Sequence, residues 1–370
     1  MKIIADNKIP FLTGLLEPYA EVVYKAGAET TPRDVAHADA LITRTRTRCN
    51  AQLLEGSRVK MIATATVGFD HIDTHYCEHN GIHWVNAPGC NSGSVLQYVA
   101  ATLALMVKEL GYQLKGKKIA IIGVGHVGSK VQRLVQQLGM EVLPVDPIRA
   151  MNEPEEHFIV YEEAIAQADI ITYHTPLTME GEYATYHMLN VLTLPHLKKG
   201  VTIINAARGE VTSTQALIKG LDEGIISRTI IDVWEHEPAI NQELLGKSWL
   251  ATPHIAGYSL DSKANGTSMA VRSISDYFNL GIKNLEIKGM PQPQNPQLIA
   301  LEDIGFEAMM AELILQTYPI REDDRRLRAS VADFEKQRGD YPVRREFGAY
   351  QVACSEKNRA IIEAFGFNIK

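Results

Sequence analysis

The chain has 370 residues, 45% of them hydrophobic, and a formal net charge of −7 with acids and bases interspersed. Length and apolar content support a substantial core shared among two or three domains, and the charge balance argues against a nucleic-acid-binding surface. No apolar stretch near either end approaches the roughly 20 residues of a membrane span, and no basic segment leads into an apolar one at the N-terminus, so a cytoplasmic protein with no membrane or nucleic-acid partner is expected.

The first ninety residues alternate short apolar runs with polar segments: Lys2-Ile3-Ile4-Ala5, Ala40-Leu41-Ile42-Thr43, Met61-Ile62-Ala63 and His83-Trp84-Val85. Each reads as a strand of an α/β unit. Pro88-Gly89-Cys90-Asn91-Ser92-Gly93 is a turn-rich break, after which Ser94 can cap a helix running to Leu110 with Val95, Val99, Leu103 and Met106 on its apolar side. A second α/β unit begins near Lys117. Its β-branched runs Ile170-Ile171-Thr172-Tyr173, Val201-Thr202-Ile203-Ile204 and Thr229-Ile230-Ile231 are nearly unbroken, as strands buried on both faces should be. Strand and helix patterns alternate to about Pro253, the order of a doubly wound parallel sheet. After Gly257 an amphipathic helix carries Met269, Ile274 and Phe278, and Gly281 can end it. The segment Met290-Pro291-Gln292-Pro293-Gln294-Asn295-Pro296 reads as a stiff linker to a small, charge-rich C-terminal domain.

The strand Lys118-Ile119-Ala120-Ile121-Ile122 runs directly into Gly123-Val124-Gly125-His126-Val127-Gly128, and a helix follows with Val127, Val131, Leu134, Val135 and Leu138 on its apolar side. A bare G-x-G-x-x-G is weak evidence, but strand, glycine loop and helix in this order form a dinucleotide site. The first glycine permits the tight turn, the second lets the backbone approach a pyrophosphate, and the third allows close packing, with the anion at the helix N-terminus. Asp146 ends the next strand 18 residues after Gly128. A carboxylate there accepts hydrogen bonds from the adenosine ribose and repels a 2′-phosphate, which favours NAD over NADP, although Arg149 stands close by in sequence.

Four segments end strands where such sheets bind ligands. They are His174-Thr175-Pro176-Leu177-Thr178, Asn205-Ala206-Ala207-Arg208-Gly209, Asp232-Val233-Trp234-Glu235-His236-Glu237-Pro238 and Thr252-Pro253-His254-Ile255-Ala256-Gly257. Together they resemble the signature motifs of the D-isomer-specific 2-hydroxy-acid dehydrogenases. The resemblance implies a Rossmann-type NAD-binding domain over residues 94–257 and a flavodoxin-like substrate-binding (lid) domain over 1–93, completed by 258–285. It also implies catalytic roles for Arg208, Glu237 and His254. The chemistry agrees. Arg208 offers a planar fork of donors for a substrate carboxylate; His254 can take the hydroxyl proton during oxidation and return it during reduction; Glu237 would orient that ring and stabilise its protonated form. By the same resemblance Asp232 and Gly257 lie on the nicotinamide side of the cofactor and Thr175 near its adenosine ribose.

Pro88-Gly89-Cys90-Asn91, the run from Ile255 to Asp261 and the tail motif Tyr341-Pro342-Val343-Arg344-Arg345-Glu346-Phe347 resemble a branch of that family. Its members oxidise a phosphorylated 2-hydroxy acid and dimerise through a small α+β C-terminal domain, which places residues 286–370 in a homodimer interface. The resemblance puts Thr45, Thr66 and Tyr258 on the substrate. A substrate with a carboxylate and a phosphate needs two anion sites, and Arg44 or Arg46, with Arg344 or Arg345 of a partner copy, are candidates for the phosphate. A 3-phosphoglycerate or hydroxypyruvate/glyoxylate-type dehydrogenase would share every cofactor and catalytic residue. A related protein that senses NAD without turnover remains the alternative of another class.

Cys49, Cys77, Cys90 and Cys354 form no C-x-x-C pair, so neither disulfides nor a thiolate zinc site is expected. His71, His75, His79 and His83 recur every four residues, a spacing that would bring them onto one helical face. Asn80-Gly81 interrupts that helix and no carboxylate completes a zinc motif, so a solvated face is favoured and no metal is expected.

Overall fold

The short β-branched runs pair in parallel because intervening helices and loops return the chain to the same edge of the sheet. In the computed structural model, which describes residues 1–283, 285 and 287–370, the chain divides into two compact units: residues 1–91 with 259–291, and 92–258 with 292–370.

The first unit holds β1 (Lys2–Asp6), β2 (Glu21–Lys25), β3 (Ala40–Thr43), β4 (Met61–Thr64) and β5 (His83–Val85), in the order β2-β1-β3-β4-β5. That is the flavodoxin-like order. The edge strand β2 was not legible in advance, because Glu21-Val22-Val23-Tyr24-Lys25 begins and ends on charges and stays half-exposed. The helix Leu260–Phe278 buries Ala270, Val271 and Ile274 against Ile3, Ile42 and Met61 of this sheet. It stops at Asn279, whose φ of +54° is left-handed, rather than at Gly281; asparagine tolerates that region better than most side chains.

The second unit holds β6 (Lys118–Ile122), β7 (Glu141–Val145), β8 (Ile170–Tyr173), β9 (Val201–Asn205), β10 (Ile226–Ile231) and β11 (Leu250–Ala251), ordered β11-β10-β9-β8-β6-β7. This is the Rossmann-type sheet expected. The helix Ser92–Leu110 starts three residues earlier than a cap at Ser94 implies, so Ser94 lies inside it. Its hydroxyl donates to the Ala256 carbonyl at 2.7 Å instead of capping the helix.

The C-terminal residues of this unit add a small parallel sheet of β12 (Gln297–Ile299), β13 (Gln351–Ala353) and β14 (Asn368–Ile369). Their helix Phe306–Thr317 packs Met310, Leu313 and Ile314 into one core with Leu103 and Met106 of the helix Ser92–Leu110. The helix Arg321–Ala329 covers the edge strand β11, where Asp324 accepts from the Ala251 amide at 2.8 Å. Among the described residues no helix is long and apolar enough to cross a membrane.

Candidate active site

In the second sheet β6 is flanked by the strand that follows it on one side and by β8 on the other, so the loops after β6 and β8 meet at the topological switch point. Each glycine of the first loop has a distinct reason. Gly123 has φ +88°, and a Cβ there would stand 3.0 Å from the His174 carbonyl and the Thr175 methyl. A Cβ on Gly128 would stand 2.0 Å from the Gly123 oxygen, so the helix could not approach the strand. A Cβ on Gly125 would meet no protein atom within 4 Å, so nothing inside the protein demands glycine there.

The neighbouring groups fit a dinucleotide. The helix Gly128–Gln137 has no side-chain cap at Val127; the Ser129 and Lys130 amides bond the Gly125 and Val127 carbonyls at 3.0 Å, so an anion there would be met by amides that precede them in the loop. Thr175 Oγ1 is buried without a hydrogen-bond partner, and His126 is exposed in the glycine loop. Asp146 accepts from the Val124 amide and the Arg149 amide, each at 3.0 Å. Arg149 is engaged by Glu153 and by the Val124 carbonyl, so its charge is balanced and the anionic character of Asp146 stands.

The strands β9, β10 and β11 are adjacent and in register, with Ile231 opposite both Asn205 and Ala251, so the three loops leave the sheet side by side. Arg208 follows β9, half-buried, with one Nη1 bond to the Ala207 carbonyl at 2.8 Å. Close approach of the neighbouring loop requires Gly209, where a Cβ would lie 2.1 Å from the Trp234 carbonyl. After β10, Glu237 accepts from the Trp234 amide at 2.9 Å through one oxygen and meets His254 Nδ1 at 2.7 Å through the other. Burial raises the Glu237 pKa, but the His254 contact, the Trp234 amide and the Arg338 charge outweigh it and hold the carboxyl below its ordinary value. His254 has φ +56°, the left-handed region; a side-chain-bearing residue persists there only when its surroundings over-determine it.

Asp232 supplies part of that constraint. It is 1% exposed, and its carboxylate accepts from Thr252 Oγ1 at 2.6 Å and from the amides of Ile255 and Ala256 at 2.8 and 2.9 Å. Its backbone oxygen accepts the His254 amide at 2.7 Å. A cavity of about 780 Å³ among His187, Thr214, Glu235 and His236 contains none of the catalytic candidates. There Glu235 braces the loop, accepting from the Thr214 amide at 2.6 Å and meeting His187 Nε2 at 2.7 Å.

The substrate candidates of the first unit fall on two strand-end loops. Thr45 and Arg46 are exposed after β3, Arg44 donates to the Lys8 carbonyl at 3.0 Å, and Thr66 donates to the Gly68 carbonyl at 2.9 Å. In the second unit Tyr258 follows the His254 loop, and its hydroxyl accepts from Arg338 at 3.1 Å. Arg344 and Arg345 are 5% and 7% exposed in their own chain. Arg344 therefore does not reach out to a partner copy as the sequence reading expected: its guanidinium is inserted behind Ile255 and Ala256. Arg338 and Arg344 contact this loop from about 80 residues away, a proximity with no local sequence signal. Among the described residues no cluster of three or more His, Cys, Asp or Glu side chains is disposed to hold a metal ion. His79 bonds the His75 carbonyl, and His83 stacks on Tyr277.

Residues 98–256 match the family described as D-isomer specific 2-hydroxyacid dehydrogenase, NAD binding domain, and residues 290–366 match a domain of unknown function. An erythronate-4-phosphate dehydrogenase of Bacteroides fragilis (strain YCH46) is 47% identical, over 96% of this chain and 100% of that protein. That of Bacteroides thetaiotaomicron is 48% identical, over 95% and 99%. The chain belongs to the erythronate-4-phosphate dehydrogenase family. Among solved structures, D-lactate dehydrogenase of Aquifex aeolicus, complexed with NAD and lactic acid, matches with TM-score 0.63 and 26% identity, covering 75% of this chain and 96% of its own. The chain is accordingly an NAD-dependent oxidoreductase of the 2-hydroxyacid class, as its glycine loop and strand-end motifs led one to expect.

Proposed function

We propose that this protein oxidises 4-phospho-D-erythronate at C2 to (R)-3-hydroxy-2-oxo-4-phosphooxybutanoate, with NAD, in pyridoxal 5′-phosphate biosynthesis. The near full-length match to dehydrogenases of that name supports the substrate. The observation that carries the chemistry is the preformed Glu237–His254 pair at 2.7 Å, on the same strand edge as Arg208. It favours turnover over a role in NAD sensing alone.

NAD, when bound, would supply the acceptor for the C2 hydride. Arg208 holds the carboxylate and so fixes the adjacent carbon. His254 Nε2 takes the C2 hydroxyl proton, while Nδ1 donates to Glu237, whose ionised carboxylate stabilises the imidazolium that forms. Asp232, with three of its acceptor positions used by the loop, retains capacity for a carboxamide donor. Gly123, Gly125, His126, Val127 and Gly128 would hold the pyrophosphate, Asp146 and Thr175 the adenosine ribose, and Gly257 the nicotinamide side. Thr45, Thr66, Tyr258 and one of Arg44 or Arg46 would bind the phosphorylated acid.

Residues 1–93 and 258–285 would form the substrate domain, 94–257 the NAD domain and 286–370 a homodimer interface. Exposed apolar side chains at Ile299, Leu301, Ile304 and Val343 support the last of these. The four free cysteines support a cytoplasmic setting. NADH production from 4-phospho-D-erythronate, measured beside 3-phosphoglycerate and D-glycerate, tests the substrate. The first should be used best, and preference for either other acid overturns the assignment.

A further inference from the structure

Arg344 is the most heavily buried arginine near the strand edge, 5% exposed. Its guanidinium lies 4.2 Å from the Tyr318 ring centroid and 5.6 Å from that of Tyr341. Among the described residues no carboxylate lies within ion-pair distance of it, and its Nε and Nη1 have no hydrogen-bond partner. Burying a charge this way is costly. What the charge does engage is specific: Nη2 donates to Ser94 Oγ, to the Ile255 carbonyl at 3.2 Å and to the Ala256 carbonyl at 2.6 Å.

Those two carbonyls belong to the residues whose amides Asp232 holds. The two residues after His254 are therefore gripped from both sides, N–H by a carboxylate and C=O by a guanidinium. The left-handed backbone of His254 immediately precedes them. A second arginine from the same tail reaches the far end of the segment. Arg338 donates to the Tyr258 hydroxyl at 3.1 Å, stands 5.7 Å from that ring, and is braced by Glu335 at 2.8 Å. Its charge is also felt by Glu237.

We propose that the C-terminal tail is a working part of its own chain's catalytic unit, with Arg344 and Arg338 as positioning residues that clamp the loop from His254 to Tyr258. The proposal rests on the reading of His254 as acid and base given above. Tail folding and catalysis are then coupled within one chain. Neither arginine touches the reacting atoms: they act through the loop, so their loss displaces the imidazole rather than removing a reacting group.

The test uses the full chain and the variants Arg344→Met, Arg344→Lys and Arg338→Met, with Arg325→Ala, an exposed tail arginine, as control. Misplacing a catalytic group costs rate rather than ground-state binding, so Arg344→Met should lower kcat about 30-fold with KM for the acid within about twofold. Backbone amide exchange in residues 254–258 should quicken about tenfold while the sheet core keeps its protection. Arg344→Lys should recover part of both, and Arg325→Ala should change neither. If Arg344→Met does not fold, Arg338→Met decides, with an expected kcat loss of about fivefold and faster exchange at the same segment. Unchanged kcat and exchange in the folded variants overturns the proposal, as does a loss of protection spread evenly over the chain. If the unmodified chain makes no NADH from any 2-hydroxy acid, the functional reading fails, and the exchange measurement still decides the clamp.

Discussion

Both large sheets are parallel, both are filled with β-branched residues, and each has a half-buried histidine in the loop after one of its strands: His71 after β4 and His174 after β8. Their functional loops are built differently. After β3 of the first sheet, Thr45 and Arg46 are exposed and Arg44 is tied by one bond to a carbonyl. After β10 and β11 of the second, Asp232 and Glu237 are tied by five hydrogen bonds to backbone or side-chain partners. A proton transfer requires fixed geometry, and the residues proposed for it sit where buried polar contacts over-determine the backbone. A phosphate presents several equivalent oxygens that flexible cations can follow, so an exposed basic loop would suffice for the role proposed for it.

The sharpest way to break this contrast is to remove the proposed acid and base. His254→Gln should lower kcat by about three orders of magnitude, and Glu237→Gln by about two, because the latter leaves the imidazole without the carboxylate that orients it. Steady-state kinetics with NADH detection would show it, and a His254→Gln enzyme within tenfold of the parent would remove His254 from the chemistry.

Two glycines of one loop separate packing from cofactor binding. Gly128→Ala drives a Cβ to 2.0 Å from the Gly123 oxygen and should lower both the melting temperature and NADH affinity. Gly125→Ala meets no protein atom, so the melting temperature should hold while the NADH Kd rises about tenfold, the loss expected when backbone is kept from the pyrophosphate. Fluorescence titration and calorimetry on both variants distinguish the cases; a Gly125→Ala protein with unchanged NADH affinity would place the cofactor elsewhere.

On the basic loop the expected effect is smaller and selective. Arg46→Ala should raise KM for the phosphorylated acid about tenfold and leave that for the unphosphorylated acid within about twofold. Equal effects on both acids would mean that Arg46 is a solvated surface charge.

The smallest effect concerns pH and compares the two half-buried histidines. Burial lowers the pKa of His71 from 6.5 to about 4, with Asp70 opposing, and that of His174 from 6.5 to about 3. Below pH 6.5 the unfolded chain takes up protons that these imidazoles refuse in the fold, so stability is full above 6.5 and declines as pH falls. The loss from His71 should level off near pH 4 and that from His174 should continue to about pH 3. His174→Gln should flatten the low end of a plot of denaturation midpoint against pH, and an unaltered slope would show that the ring is not held neutral.

Much of this protein was legible in local sequence because local physics sets it. Period-two and unbroken apolar runs marked the strands, the glycine loop between a strand and a helix marked an NAD-binding fold, and the ordered motifs placed Arg208, Glu237 and His254 at neighbouring strand ends, where they are proposed to act. Where local signals competed or were weak, the reading slipped: β2 is flanked by charges, Asn279 rather than Gly281 ends its helix, and Ser94 bonds a carbonyl 162 residues away instead of capping. The tail was the least legible part. A run such as Tyr341-Pro342-Val343-Arg344-Arg345 is equally compatible with a solvated surface, a partner contact or a buried clamp. Only the packing of the helix Phe306–Thr317 onto the helix Ser92–Leu110 brings Arg344 behind Ile255 and Ala256. Long-range burial decides which charges lose their water, and no sequence spacing records that.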